Sequence, residues 1–446
     1  MAAPRIVIVG AGFAGFHAAR RLSRRARGRA EITLVNPTDY FLYLPLLPQV
    51  AAGLLEPRHA SVSLTGSLPG VRVVLGQVLG VDTGQRRVHY SDAEDHPGDL
   101  GYDRLVLAVG SVNKLLPIPG VAENAHGFRG VPEALYLRDH LIRQIELADM
   151  TTDQALRLAR CTFVVVGAGY TGVEVAAQCQ QFAAKVAAQH AGLAGLRPRW
   201  LLLDVADRVL PELDRRLSRA ADRVLRERGV DVRLGVSVRE ATAEGVHLTD
   251  GEFVPSRSLI WCVGVRPDPL IDDLGLPLRK GRLVTDEHLR VPGHPEIFAC
   301  GDAAAVPDLT RPGEITAMTA QHAQRQGVTV AENLAAGYAG RPLRRYRHHD
   351  LGFVVDLGGV QAAANPLGVP LSGPPAAAVT LGYHLASMPG NRVRVAADWL
   401  LDVLIRRQSV QLGLVRSPVV PLDTASPELP ARPATDRARP TRPGST

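Results

Sequence analysis

Arg5 to Arg20 reads RIVIVGAGFAGFHAAR: an apolar run, three glycines in G-x-G-x-x-G spacing, and an Ala-rich stretch carrying arginine. Arg5 to Val9 is predicted as a buried strand and the residues after the glycines as a helix. Gly10 makes the tight turn between them. Gly12 has no Cβ, so a pyrophosphate can approach its backbone, and Gly15 lets helix and strand pack closely. The first helical turn then points its free N–H groups at the phosphates. The placement between a strand and a helix is what marks this glycine pattern as a dinucleotide-binding unit.

The same pattern returns at Cys161. The run CTFVVVGAGYTGVEVAAQ repeats strand, glycine loop (Gly167, Gly169, Gly172) and helix. The strands that follow the two loops are Glu31 to Val35 and Arg199 to Leu203. In such units an acidic residue ends this strand and holds the ribose hydroxyls. The first copy has Asn36 there, whose amide can still donate and accept. The second has Asp204, whose carboxylate favours NADH over NADPH by repelling a 2′-phosphate. Each half continues through a meander to a strand ending in a small-residue turn, at Gly110 and Gly264. The chain thus contains an internal repeat of a whole dinucleotide-binding domain. Two loops imply two dinucleotides, and the economical pair is a resident flavin with a visiting nicotinamide.

Within the first repeat, after Asn36, DYFLYLPLLPQVAAGLLEP is apolar and broken by Pro45, Pro48 and Pro57. It is read as a wall beside a flat ring or as a buried loop. Pro132 to Leu147 has helical spacing. Downstream, PEIFACGDAA places Asp302 after a short strand, where it can accept hydrogen bonds from ligand hydroxyls. A helix beginning near Ala320 can offer N–H groups to a ring carbonyl that gains negative charge on reduction.

Hydrophobic residues make up 46% and charged residues 21% of the 446, the make-up of a folded globular chain of two or three domains. The net charge is +7, carried almost wholly by arginine; lysine occurs only at Lys114, Lys185 and Lys280. This excess fits an anionic cofactor or an anionic membrane surface. Without an aromatic-interleaved basic patch, nucleic acid is not expected. Cys161, Cys179, Cys262 and Cys300 form no C-x-x-C pair, so no redox dithiol and no metal site are expected. Reduced, inert thiols fit the cytoplasm. The N-terminus runs straight into the first strand, so no signal peptide is expected.

Taken together, these residues resemble the type II NADH dehydrogenases, single-chain, non-proton-pumping NADH:quinone oxidoreductases, over roughly Arg5 to Leu414. The resemblance implies an α/β fold with two Rossmann-like dinucleotide-binding domains and a C-terminal α+β or helical region. The expected units are 1–157 and 284–345 for FAD, 158–283 inserted between them for NADH, 346–423 for docking, and a disordered tail over 424–446. It implies FAD on Gly10, Gly12 and Gly15 with Asp302 on its ribityl chain, and Ala320 and Gln321 beside the ring. NADH falls to Gly167, Gly169, Gly172 and Asp204. Glu174 matches a carboxylate near the nicotinamide–flavin contact; its other reading is a first-turn glutamate favoured by the helix dipole. Glu174 and Gln321 are the expected catalytic residues, and Gln321 and Arg325 the expected quinone contacts. Arg325 departs from the family, which commonly has glutamine there. Asn36 and Pro48 are also departures. His322 adds a titratable group, read as a satisfied surface histidine.

Leu357 to Asn391 lacks Lys, Arg, Asp and Glu, but proline and glycine interrupt it, so no spanning helix is expected. Val393 to Leu414, with Trp399 and neighbouring arginines, reads as an interfacial helix for an anionic membrane or as a core or dimer helix. The expected function is hydride transfer from NADH to flavin and two-electron reduction of a membrane quinone by a peripheral, homodimeric enzyme on the inner face of the cell membrane. The alternatives are a soluble NADH-dependent reductase of another acceptor and a non-catalytic NADH-sensing flavoprotein.

Overall fold

Strands buried on both faces need apolar runs rather than alternation, and such runs supply the centres of both main sheets. The computed structural model describes residues 3–26, 28–405, 408–416, 420 and 422. The first sheet has a parallel centre in the order His294–Ala299, Arg104–Leu107, Arg5–Val9, Glu31–Asn36, Val71–Asp82. Ile6 pairs with Ile32 on one side and Arg104 on the other. Arg87–Asp92 and Pro97–Gly101 extend it as an antiparallel meander. The helix Phe13–Ala26 packs against the helix Ala320–Tyr338, where a Cβ on Gly327 would lie 2.1 Å from the Ala14 carbonyl oxygen.

The second sheet is wholly parallel: Ala125–Gly127, Leu259–Trp261, Thr162–Val166, Arg199–Asp204, Val230–Leu234. Its first strand comes from the segment assigned to the first unit. Ala125 pairs with Leu259, so the chain enters the second sheet before residue 158. The two sheets are tied by Ser111–Asn113 against Val265–Pro267, strands that directly follow Gly110 and Gly264. The repeat seen in the sequence is therefore joined at corresponding points.

A third sheet, Val354–Asp356, Ala362–Ala364 and Leu371–Ser372, is antiparallel and carries the helix Pro374–Ser387. The last described helix is Arg392–Leu404, shorter than the expected Val393 to Leu414. Ile405 is extended, and the segment beyond runs along the helix Val131–Met150. There the Gly413 N–H donates to Asp139 Oδ2 at 2.7 Å and Arg143 Nε donates to Gln411 Oε1 at 3.2 Å. These contacts hold the segment out of helical form. Among the described residues, no helix is long and apolar enough to cross a membrane. Arg406, Arg407 and the tail 424–446 lie outside the described residues.

Candidate active site

The two glycine loops are built alike. Gly10 and Gly167 have φ of +91° and +103°, which an L side chain rarely adopts. A Cβ on Gly15 or Gly172 would lie 1.8 Å from the carbonyl oxygen of Gly10 or Gly167, so only glycine fits there. By contrast, a Cβ on Gly12 or Gly169 would meet nothing within 4 Å. Their backbones face open space, as the approach of a phosphate requires.

The strand-end residues also correspond. Asn36 Oδ1 accepts from the Ala11 N–H at 2.8 Å, and Asp204 Oδ2 accepts from the Ala168 N–H. Asn36 Nδ2 donates to Thr38 O at 2.9 Å and Thr38 Oγ1 at 3.0 Å. Both of its donors are thus used, and it can serve a ribose only as an acceptor. Asp204 also accepts from the Ala206 N–H at 2.8 Å. A carboxylate has about four acceptor positions, so two remain for ribose hydroxyls.

A cavity of about 590 Å³ opens beside the first loop. Gly10, Gly12, Asn36, Gly110, Asp302, Ala320, Gln321 and Glu174 line it, so it draws on both repeats. Leu44, Pro45, Leu47 and Pro48 form an apolar part of the lining, in keeping with one of the two readings of the proline-broken stretch. Asp302 Oδ2 accepts from the Ser111 hydroxyl at 2.7 Å, and Arg282 Nε donates to the Asp302 carbonyl at 3.0 Å. Burial raises the Asp302 carboxyl, and the Ser111 hydrogen bond and Arg282 pull it back down. Gln321 Nε2 donates to Gly352 O at 2.6 Å, whereas Gln321 Oε1 is buried without a partner among the described residues. It therefore awaits a donor from whatever occupies the cavity.

Gly15 and Gly172 serve packing and do not reach the cavity. Gly167, Gly169, Asp204 and Gly264 lie outside its lining, along the second loop. Arg325 is not brought to the cavity either: its guanidinium donates to His349 O and lies 3.1 Å from His348 Nδ1. His322 is buried, not a surface residue. Its Nδ1 is 2.9 Å from the Tyr346 hydroxyl, and burial lowers it to about 4, so the ring is neutral. Cys161, Cys179 and Cys300 are buried and Cys262 is half-buried, all as free thiols. Burial raises Cys161 to about 11 and Cys262 and Cys300 to about 12, so they are not nucleophiles at neutral pH.

Several contributors were not legible in the sequence. Tyr170 stacks on Phe353 at 5.5 Å, and both line the cavity. Tyr383 and His384 close another part of the wall. Gln326 supports the Gly301 turn from beneath, its Oε1 accepting from the Gly301 N–H at 2.7 Å. Glu174 is buried and accepts from the Asp356 backbone N–H at 2.8 Å, a contact across 182 residues. Burial and the nearby Asp356 charge raise Glu174 well above the usual carboxyl range.

Comparison with known proteins places this geometry. A family profile described as pyridine nucleotide-disulphide oxidoreductase matches residues 4–327. The type II NADH:quinone oxidoreductase Ndh of Mycobacterium tuberculosis is 31% identical over 424 residues, covering 91% of this chain and 89% of that protein. The demethylphylloquinone reductase NdbB of Synechocystis is 31% identical over 413 residues, covering 90% and 96%. The solved NDH2 of Plasmodium falciparum in complex with NADH has the same fold, with a TM-score of 0.85 at 18% identity, covering 92% of this chain and all of that one. On its glycine loops and on these relatives together, the chain belongs to the type II NADH dehydrogenases of the pyridine nucleotide-disulphide oxidoreductase family.

Proposed function

We propose that this protein, an FAD-dependent NADH:quinone oxidoreductase, performs its chemistry in the cavity shared by the two repeats. The observation that carries this reading is that one wall holds the first glycine loop and another holds Glu174, from the helix that the second loop opens. The residues fit FAD. Gly12 leaves room for its pyrophosphate, Asp302 for its hydroxyl chain, and the orphaned Gln321 Oε1 for a donor on its ring. When bound, FAD supplies a carrier that accepts a hydride from the nicotinamide and passes on two electrons.

The chain's own residues do the rest. Gly169 and Asp204 bind the visiting NADH, and Asp204 sets the preference over NADPH. The start of the helix Ala320–Tyr338 stabilises negative charge that develops at the cavity. Leu44, Pro45, Leu47 and Pro48 exclude water. Overall, NADH, one proton and quinone give NAD⁺ and hydroquinone, so one proton is drawn from solvent in each turnover. Glu174 is placed to hold that proton at the cavity wall. Gln321 contacts the acceptor; Arg325, donating to His349 O, lies outside the cavity lining.

The C-terminal helix is assigned to an anionic membrane surface. Val393, Leu400, Val403 and Leu404 are exposed next to Arg392 and Arg394, an apolar face with a basic margin. Co-sedimentation with anionic vesicles that is lost when Leu400, Val403 and Leu404 are changed to serine supports this. Unchanged binding together with a dimer that dissociates would instead assign the face to a second copy. The catalytic reading is tested by anaerobic reduction of the bound flavin with NADH, followed by quinone. Bleaching without reoxidation by any quinone would leave the reductase of another acceptor.

A further inference from the structure

Glu174 and Asp356 meet where the NADH unit, the apolar wall and the C-terminal sheet come together, and they are not equivalent. Asp356 Oδ1 accepts from the Gly358 N–H at 2.8 Å, and Asp356 Oδ2 accepts from Gln49 Nε2 at 2.8 Å. The Arg228 guanidinium stands close by, donating to Leu357 O and to Gly358 O. Among the described residues, Glu174 has one donor, the Asp356 backbone N–H. A buried and a half-buried carboxylate this close do not both ionise freely. The one with more donors and a cation beside it keeps the charge.

The orientation of Gln49 is fixed by a group that can only donate. Trp399 Nε1 donates to Gln49 Oε1 at 2.7 Å, so the oxygen must face the indole and the amide nitrogen must face Asp356. Trp399 belongs to the C-terminal helix Arg392–Leu404. A continuous set of hydrogen bonds therefore runs from that helix through Gln49 and Asp356 to Glu174.

We propose that Asp356 is a positioning residue for proton delivery: it carries the negative charge of a two-carboxylate pair whose proton sits on Glu174, at the cavity wall. Gln49, oriented by Trp399, keeps the charge on Asp356. Of the other titratable and charged groups, Tyr170 faces Glu174 and in turn Asp350 and Glu212, and Arg228 stands beside Asp356. Burial raises both carboxyls, but Glu174 is pushed further by the Asp356 charge, while Gly358, Gln49 and Arg228 pull Asp356 down. The inference rests on the reaction proposed above for the use of that proton, but the proton's location does not depend on that reaction.

The test is an infrared pH titration of the flavin-loaded protein, following the carbonyl stretch of a protonated buried carboxyl group. At neutral pH the band is expected in the wild type and absent in Glu174→Gln. In Asp356→Asn the band should remain on Glu174, with its midpoint lowered by about one pH unit or more, a tenfold or greater loss of proton affinity. If Asp356→Asn does not fold, Asp356→Thr makes the same test. The alkaline limb of the quinone-reduction rate should move in the same direction, with KM for NADH unchanged. A band that survives Glu174→Gln, or a midpoint that neither Asp356 variant moves, overturns the assignment. A band that behaves as expected in a protein that turns over no quinone supports the pair and refutes the proposed reaction instead.

Discussion

Replacing Gln326 with leucine tests whether the helix Ala320–Tyr338 holds the cofactor turn in place. Gln326 is 0% exposed, and both ends of its amide are used. Oε1 accepts from the Gly301 N–H at 2.7 Å, and Nε2 donates to Thr316 Oγ1 at 3.0 Å. Leucine is similar in size and apolar, so packing changes little. The Gly301 N–H, however, is left buried without a partner, which costs about 1–3 kcal/mol. Losing the bond to the Thr316 hydroxyl adds about 1 kcal/mol, because that group can turn to a new partner. The sum is about 2–4 kcal/mol. In a domain of this size that corresponds to a fall in Tm of roughly 5–12 °C. The turn carries Asp302, so the loss should appear in flavin retention as well as in unfolding. Thermal unfolding and fluorescence of released flavin measure both. Gln324→Leu, half-buried on the same helix, is the control and should change Tm by little. A Gln326→Leu protein that unfolds within a degree of wild type and keeps its flavin would refute the reasoning.

Gly327→Ala should push the two cofactor helices apart, since its Cβ would sit 2.1 Å from the Ala14 carbonyl oxygen. Overpacking of this kind costs about 1–3 kcal/mol or more, and calorimetry should record the lower Tm. Asp204→Asn removes the charge that disfavours a 2′-phosphate while keeping one acceptor for the Ala168 N–H. The ratio of kcat/KM for NADH over NADPH should fall by about tenfold, or 1.4 kcal/mol, in steady-state assays; an unchanged ratio removes Asp204 from cofactor choice. For Glu174, the folded protein holds the proton to higher pH than the unfolded chain does. Its contribution to stability is full below the ordinary carboxyl range and is lost as pH rises through the raised folded value. Tm of Glu174→Gln should therefore fall less than that of wild type as pH rises from the ordinary carboxyl range through the raised value, and parallel Tm–pH curves would count against a protonated Glu174.

What the sequence could convey depended on how local the signal was. Each glycine loop is set by residues a few positions apart, and both loops fold as their spacing implies. The apolar strands follow from runs that only burial on two faces explains. Asp302 and Ala320 lie beside short motifs and were also legible. Asp356 was not, because it meets Glu174 only through the fold, across 182 residues, and it lies in an ordinary strand-to-turn sequence. Gln326 sits on a helix whose sequence gives no sign of its partners Gly301 and Thr316, 25 and 10 positions away. The helix expected over Val393 to Leu414 failed for a related reason. Its apolar pattern is real, but Asp139 and Arg143 of another helix bind the chain beyond Leu404. His322 was misjudged because the residue that satisfies it, Tyr346, is 24 positions away.

The proposed electron path runs from NADH through the shared cavity to a quinone. Its most direct test is a stopped-flow experiment on the flavin-loaded protein under anaerobic conditions, mixing first with NADH and then with a quinone. The account predicts loss of the oxidised-flavin absorbance on NADH addition and its full return on quinone addition, with one hydroquinone formed per NADH consumed. Flavin that stays oxidised with NADH, or stays reduced across a panel of quinones, would contradict it.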